Sequence, residues 1–210
     1  GALLIAVPWA LWAARRPGGL FDRVTTIVSV GGLSMANYVL AVVLAWLFGV
    51  QLGILPTFGF VPLGESVTGN LKSLVLPAVS LGFPLMCVYI RFLRADLVDQ
   101  MQGQEYVVTA QAKGIHPWKV LVRHALRNSS YGLIALVGLN LGTLIGITVI
   151  VESIFSLPGI GRWLLDGFNT RDIVIIQAAV VVFAVITVIG NLLADLLQTV
   201  LDPRIRYGDR

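Results

Sequence analysis

The sequence predicts an all-α, polytopic membrane helix bundle, and three observations predict it. Of its 210 residues, 57% are hydrophobic and only 12% charged, about half the charged share of an average soluble domain; mean hydropathy is +0.86. Residues 128–151 and 173–194 contain no Asp, Glu, Lys or Arg, and each run exceeds the ~20 apolar residues that cross a bilayer as a helix. Twelve of the fifteen lysines and arginines fall on one side of the spans so defined.

Five spans account for the chain, read as one transmembrane domain over residues 1–210. The first, about 1–14, is a partial apolar segment closed by Arg15-Arg16-Pro17-Gly18-Gly19. As a helix it covers only some 21 Å, short of a full crossing. It carries no charged leader ahead of its apolar run, so it does not read as a signal peptide. The second, about 26–50, ends before Gly53-Ile54-Leu55-Pro56, where glycine and proline disfavour helix. The third, about 71–89, contains Pro77, Gly82 and Pro84 and is expected to kink or unwind locally. The fourth, about 131–151, places Gly138, Gly142 and Gly146 at i, i+4 spacing, a face that another backbone can approach closely. The fifth, about 173–197, ends with Asp195 near the interface and an Asp202-Pro203 stop.

Charge sets the orientation. Arg15, Arg16, Arg23, Arg91, Arg94, Lys113, Lys119, Arg123, Arg127, Arg204, Arg206 and Arg210 lie on one side; Lys72, Arg162 and Arg171 lie on the other. The richer side faces the cytoplasm, which makes the C-terminus cytoplasmic. The basic residues are scattered without an aromatic platform, so nucleic acid is not an expected partner; the lipid bilayer is. The single cysteine, Cys87, permits no disulfide within the chain and reads as a small buried side chain.

The segment between spans three and four, about 95–128, is unusual for its length and pattern. Residues 99–113 have helix-compatible spacing, Gly114 breaks them, and Pro117 suits the first turn of another helix. Lys119, Arg123 and Arg127 repeat every four residues as a basic stripe. Helix, glycine turn and helix at the membrane surface describe either an amphipathic element held by lipid head groups or a docking element gripped by a cytoplasmic partner. Only the second uses its rigidity, by passing displacement into the spans on either side.

Polar groups inside spans are candidates for a substrate path: Asn37, Tyr38, Ser80, Asn140, Thr143, Thr148, Gln177, Thr187 and Asn191, of which Asn37, Asn140, Thr143, Gln177 and Asn191 are carried forward. Each is equally the kind of residue that makes an interhelical hydrogen bond. Asp195 reads as a cap, an ion pair or a substrate contact. Residues 157–172, with Arg162, Trp163 and Asp166, are expected to form a short external gate helix, a contact for a binding protein, or a helix-capping loop at the membrane surface. Catalytic and metal sites are not expected: no phosphate loop is present, and His116 and His124 stand eight residues apart without a cysteine pair.

Glu105-Tyr106-Val107-Val108-Thr109-Ala110-Gln111-Ala112-Lys113-Gly114, followed by His124-Ala125-Leu126-Arg127-Asn128, resembles the "EAA" coupling loop of binding-protein-dependent ABC transporter permeases, in the dipeptide, oligopeptide and nickel branch (the peptide permease B-type subunit). By position, the motif's Glu-Ala-Ala falls on Val108-Thr109-Ala110 and its glycine on Gly114; its later Leu-Pro falls on Leu126-Arg127. The segments from Val151 to Gly161 and from Leu201 to Tyr207 resemble the family's external segment and C-terminal ending.

The resemblance implies a type I ABC importer permease fold, normally of six spans, so that a first span and an external region are expected ahead of Gly1. It implies a bacterial inner-membrane location and four protein partners: a second homologous permease, two cytoplasmic ABC ATPase subunits and an extracytoplasmic binding protein. ATP and Mg belong to the ATPases, and this chain has no cofactor of its own. Coupling to the ATPase is assigned to Glu105, Thr109, Ala110, Ala112, Lys113 and Gly114. The expected cargo is a dipeptide or oligopeptide, with nickel, haem and glutathione as alternatives on the same machinery.

Other classes explain less. A secondary transporter is expected to show internal repeats and a midplane ion site, and no repeat is evident. An intramembrane serine protease needs a histidine in a span, and both histidines lie in the cytoplasmic loop. A non-catalytic membrane scaffold leaves the glycine-turn element without a use.

Overall fold

The computed structural model describes residues 1–201; at positions 103, 105, 106, 108, 111 and 201 only the backbone is described. Among the described residues all regular secondary structure is helical, with residues 52–66 forming a non-helical connection. The helices are α1 (Ala2–Ala14), α2 (Leu20–Ser34), α3 (Asn37–Leu44), α4 (Val67–Gly103), α5 (Glu105–Ala112), α6 (Pro117–Val120), α7 (Leu126–Ile154), α8 (Ile160–Thr170) and α9 (Ile173–Leu201). Two π-helical stretches extend them, Ala45–Gln51 after α3 and Leu121–Ala125 between α6 and α7.

Three stretches are long and apolar enough to cross a membrane: Val67–Gln102, Pro117–Ile154 and Ile173–Val200. Leu20–Ser34 and Asn37–Gln51 pass the same test only as a pair, giving a fourth. By length and apolarity the described residues thus hold three or four of the five expected spans. Helix α1 is apolar but has 13 residues, about 20 Å, and does not qualify. The second span was expected to be unbroken. It stops instead at Ser34, after Gly31 and Gly32, and Ala36 is extended before α3 begins. The Ser34 hydroxyl donates to the Val30 carbonyl at 2.9 Å, the local bond by which serine competes with helix propagation.

Two further expectations are corrected on α4. Of the kink or local unwinding expected at Pro77 and Pro84, the unwinding is not seen, since one helix runs through both; the Ser80 hydroxyl donates to the Pro77 carbonyl at 2.8 Å. The same helix continues past the expected end near Tyr89 as far as Gly103. The helix expected over residues 99–113 is thus divided: its first turn belongs to α4, and α5 restarts after Gln104. Glycine at the break, the poorest helix former after proline, is sufficient reason.

The chain divides into two compact units. The first comprises Gly1–Ser34, Leu85–Leu139 and the chain from Asn191. Its core sets Ala6, Ala10 and Ala14 of α1, three alanines at i, i+4 spacing, against Tyr89, Ile90, Leu93 and Leu97 of α4, with Leu121, Ala125 and Leu133 closing the cluster. Small side chains on one helix let large ones on its neighbour fill the gap without a void. The second unit, Met35–Pro84 and Asn140–Gly190, is centred on Ala41, Leu76, Val151 and Phe155.

Of the three glycines expected to form a close-packing face on α7, two do so. A Cβ on Gly138 would lie 2.7 Å from the Ala194 Cβ, and one on Gly142 would lie 3.5 Å from a Thr187 methyl. Both neighbours are on α9. Gly146 meets nothing within 4 Å.

Candidate coupling site and substrate path

Residues 99–128 fold as a compact helical hairpin at one end of the first unit. Helix α5 ends at Ala112; the N–H of Lys113 bonds the Thr109 carbonyl at 3.2 Å and that of Ile115 bonds the Ala110 carbonyl at 3.1 Å. Gly114, at φ +74°, makes this return possible, because only glycine takes that left-handed conformation without a Cβ clash. His116 then caps α6: its Nδ1 accepts from the Trp118 N–H at 3.3 Å, and its carbonyl accepts from Lys119 and Val120. Pro117 occupies the first helical position, as expected.

The hairpin has its own small core. Val107, Ala110 and Val120 are buried together, with Met101 and Ile115 packed around them. Val107 and Val120 are 1% and 0% exposed, which means the two arms are held by apolar burial and not by the turn alone. Among the coupling residues, Thr109, Ala112, Lys113 and Gly114 are exposed on the outer side, whereas Ala110 faces the core. The side chain of Glu105 lies outside the described residues.

The hairpin is braced at both ends. Arg94, on α4 ahead of it, makes a two-point ion pair with Asp22 of α2, with Nε to Oδ1 at 2.8 Å and Nη2 to Oδ2 at 2.7 Å. Arg15 sits over the Trp118 ring of α6, 5.7 Å from its centroid. A cleft of about 420 Å³ opens beside this contact, lined by Arg15, Arg16, Met101, Gln102, His116 and Trp118 among others. None of the bracing residues was among the coupling candidates. The available signal was Asp22, an acid in the first turn of a helix directly after Gly18-Gly19. What the sequence does not reveal is its partner 72 residues away.

The substrate-path candidates are less gathered. Thr143 donates its hydroxyl to the Asn140 carbonyl at 2.9 Å, so these two are joined locally along α7. Asn37 starts α3 and is half-buried; Gln177 and Asn191 are exposed on α9. Asn191 belongs to the first unit and the other four to the second. Thr148 and Thr187 donate to the Leu144 and Phe183 carbonyls of their own helices. Asp195 is exposed on α9, and its backbone carbonyl accepts from the Thr199 hydroxyl at 2.9 Å.

In the second unit, Glu152 shapes the turn between α7 and α8. Its Oε2 accepts from the Arg162 N–H at 3.1 Å, which supplies the N-terminal cap of α8 that Gly159 has no side chain to provide. Gly159 and Gly161 make room for it, since a Cβ on either would run into the Glu152 carboxylate. Asp172 caps α9 in the ordinary way, accepting from Val174 and Ile175. Among the described residues, no group of three or more His, Cys, Asp or Glu is placed to hold a metal ion.

The family model described as "binding-protein-dependent transport system inner membrane component" matches residues 6–207. The chain is similar to a probable peptide ABC transporter permease protein, y4tP, of Sinorhizobium fredii, at 34% identity over 98% of this chain and 66% of that protein. It is similar to the oligopeptide transport system permease protein AppB of Bacillus subtilis, at 36% over 98% of this chain and 66% of that protein. It is also similar to the glutathione transport system permease protein GsiC of Escherichia coli, at 35% over 94% of this chain and 60% of that protein. The chain thus spans slightly less than two thirds of the length of these curated relatives.

Proposed function

We propose, for a chain that belongs to the family of binding-protein-dependent transport system inner membrane components, that it is the membrane half-channel of an ATP-driven importer of dipeptides or oligopeptides. The chain is a multi-pass permease component; ATP hydrolysis is the task of separate subunits. The relatives' names divide between peptide, oligopeptide and glutathione transport, and all three cargoes share a peptide-like backbone. Glutathione remains the second reading on that ground.

The observation that carries the proposal is the hairpin from α5 through Gly114 to α6. It is rigid by virtue of its own core, it presents Thr109, Ala112 and Lys113 outward, and it is continuous in sequence with the spans on either side. A cytoplasmic ATPase gripping Glu105 to Gly114 would therefore move helices, not a loose linker. In this reading two ATPase subunits bind the hairpins of this chain and of a second, homologous permease, while an extracytoplasmic binding protein delivers the cargo. The basic asymmetry of the sequence supports a cytoplasmic hairpin and C-terminus in a bacterial inner membrane.

The exposed apolar surface supports the second permease. In the spans Pro117–Ile154 and Ile173–Val200, only 11% and 6% of the most apolar window is buried, against 44% in Val67–Gln102. Surface of that kind is covered by lipid or by another chain. Asn37, Asn140, Thr143, Gln177 and Asn191 are proposed as path-lining. The test is copurification: the full-length protein, tagged and extracted in mild detergent, should retain an ATPase with a phosphate loop, and replacing residues 105–114 by a glycine-serine linker should release it. Retention by the linker variant would refute the assignment.

A further inference from the structure

Helix α4 delivers the coupling hairpin, so whatever holds α4 sideways decides what a push on the hairpin moves. One such hold is the Arg94–Asp22 pair. Both guanidinium contacts engage opposite carboxylate oxygens, at 2.8 and 2.7 Å, a fork geometry that fixes orientation as well as distance. The Gly18 N–H adds a third hydrogen bond, to Oδ2 at 2.8 Å, from a backbone at φ +79°. The Asp22 side chain is 5% exposed and that of Arg94 28%, so the carboxylate is the buried partner.

The same short turn also reaches the hairpin's other arm, through Arg15 over Trp118. Behind it, α1 and α2 are tied by the Trp9 indole N–H donating to the Thr25 hydroxyl at 2.9 Å and by the Trp9–Phe21 ring contact at 5.7 Å. The hairpin is thus footed at both ends on one piece of structure, residues 15–22. Arg94 precedes Gly103 on the same helix by about 14 Å of rise, close enough for the footing to act as a fulcrum.

We propose that Asp22 and Arg94 are positioning residues for energy coupling: their two-point pair locks α4 to the α1–α2 turn, so that displacement of the coupling hairpin is passed to α1 and α2 and is not lost as slip of α4. The proposal rests on the reading of residues 105–128 as the ATPase-docking element. It separates from a purely stabilising role through a known property of buried ion pairs. Removing one partner leaves an unpaired buried charge, whereas exchanging both for apolar residues of similar volume is often neutral for stability. A stabilising pair is therefore replaceable by apolar residues; a register lock is not, because apolar burial is non-directional and does not reproduce the two-point geometry of the fork.

The experiment uses the full-length protein assembled with its partner permease, ATPases and binding protein in liposomes, with radiolabelled trialanine as probe. ATP hydrolysis and import are read together. The Asp22→Leu/Arg94→Met variant should retain the ATPases and hydrolyse ATP at close to the unsubstituted rate, while import per ATP falls by about tenfold. Arg94→Lys keeps the charge but loses the fork, and carries the same expectation if the double variant does not insert. Unchanged import per ATP in a variant that retains its ATPases would overturn the lock alone. Loss of the ATPases from a folded variant would also overturn it, by making the pair part of the docking surface. An unsubstituted complex that retains no ATPase overturns the docking reading, and the lock with it.

Discussion

At Gly114 the backbone sits at φ +74° with nothing within 4 Å of where a Cβ would be. A substitution there acts through conformation and not through a clash with neighbours. Gly114→Val should cost about 1–2 kcal/mol in that left-handed position and splay the arms that Val107 and Val120 hold together. The expected outcome is an assembled complex whose ATP hydrolysis no longer drives uptake; normal uptake by the variant would count against the coupling assignment. At Gly138 the constraint is reversed, because the Ala194 Cβ stands 2.7 Å from the added carbon. Gly138→Leu should destabilise the α7–α9 contact by about 1–3 kcal/mol, read as a lower midpoint in detergent unfolding, while Gly146→Leu, with open space, should not. Both glycines were visible in the sequence as members of one stripe. Which of them meets a neighbour was not, because spacing gives the face and not what lies against it.

At the scale of elements, the hairpin was legible because its signals are local. Gly114 breaks a helix, Pro117 starts one, and a basic stripe follows. The length of α4 was not legible. Pro77 and Pro84 argued for a kink or local unwinding, and one helix passes through both. Helix α8 was left open between a gate and a capping loop, and the geometry adds that its start depends on Glu152 from the preceding helix. Glu152→Ala should remove the cap on the Arg162 N–H and cost about 1 kcal/mol. Faster amide exchange at residues 160–164 than in the unsubstituted protein is the expected signature; unchanged exchange would show that the cap is dispensable. Gly161→Ala should act on the same turn, since its Cβ would also crowd Val149.

For the whole molecule, charge and hydropathy in the sequence were enough for a membrane helix bundle; the family resemblance rested on the segment from Glu105 to Gly114, and the match over residues 6–207 agrees. Of the five expected spans, three, or four with the bent pair, are long and apolar enough to cross a membrane among the described residues; apolar composition alone did not show that a helix ends at Ser34. The path-lining candidates are spread over both units of this chain, and in the proposed reading a second permease would supply the facing wall. If a second permease supplies that wall, cysteines placed on the exposed apolar face of α9, at Val181 or Val188, should cross-link to it in membranes and not only label with lipid-soluble reagents. Labelling without any cross-link would assign that face to lipid.

If the proposed coupling role holds, the hairpin is where a cytoplasmic ATPase grips this chain. Site-specific photo-cross-linking from Lys113, an exposed hairpin position, measures it most directly in the intact complex. The expected product is an adduct with the phosphate-loop ATPase, with a yield that changes when a non-hydrolysable ATP analogue closes the ATPase pair. An adduct with lipid alone, in a complex shown to contain the ATPase, would contradict it and leave the hairpin as a membrane-surface element.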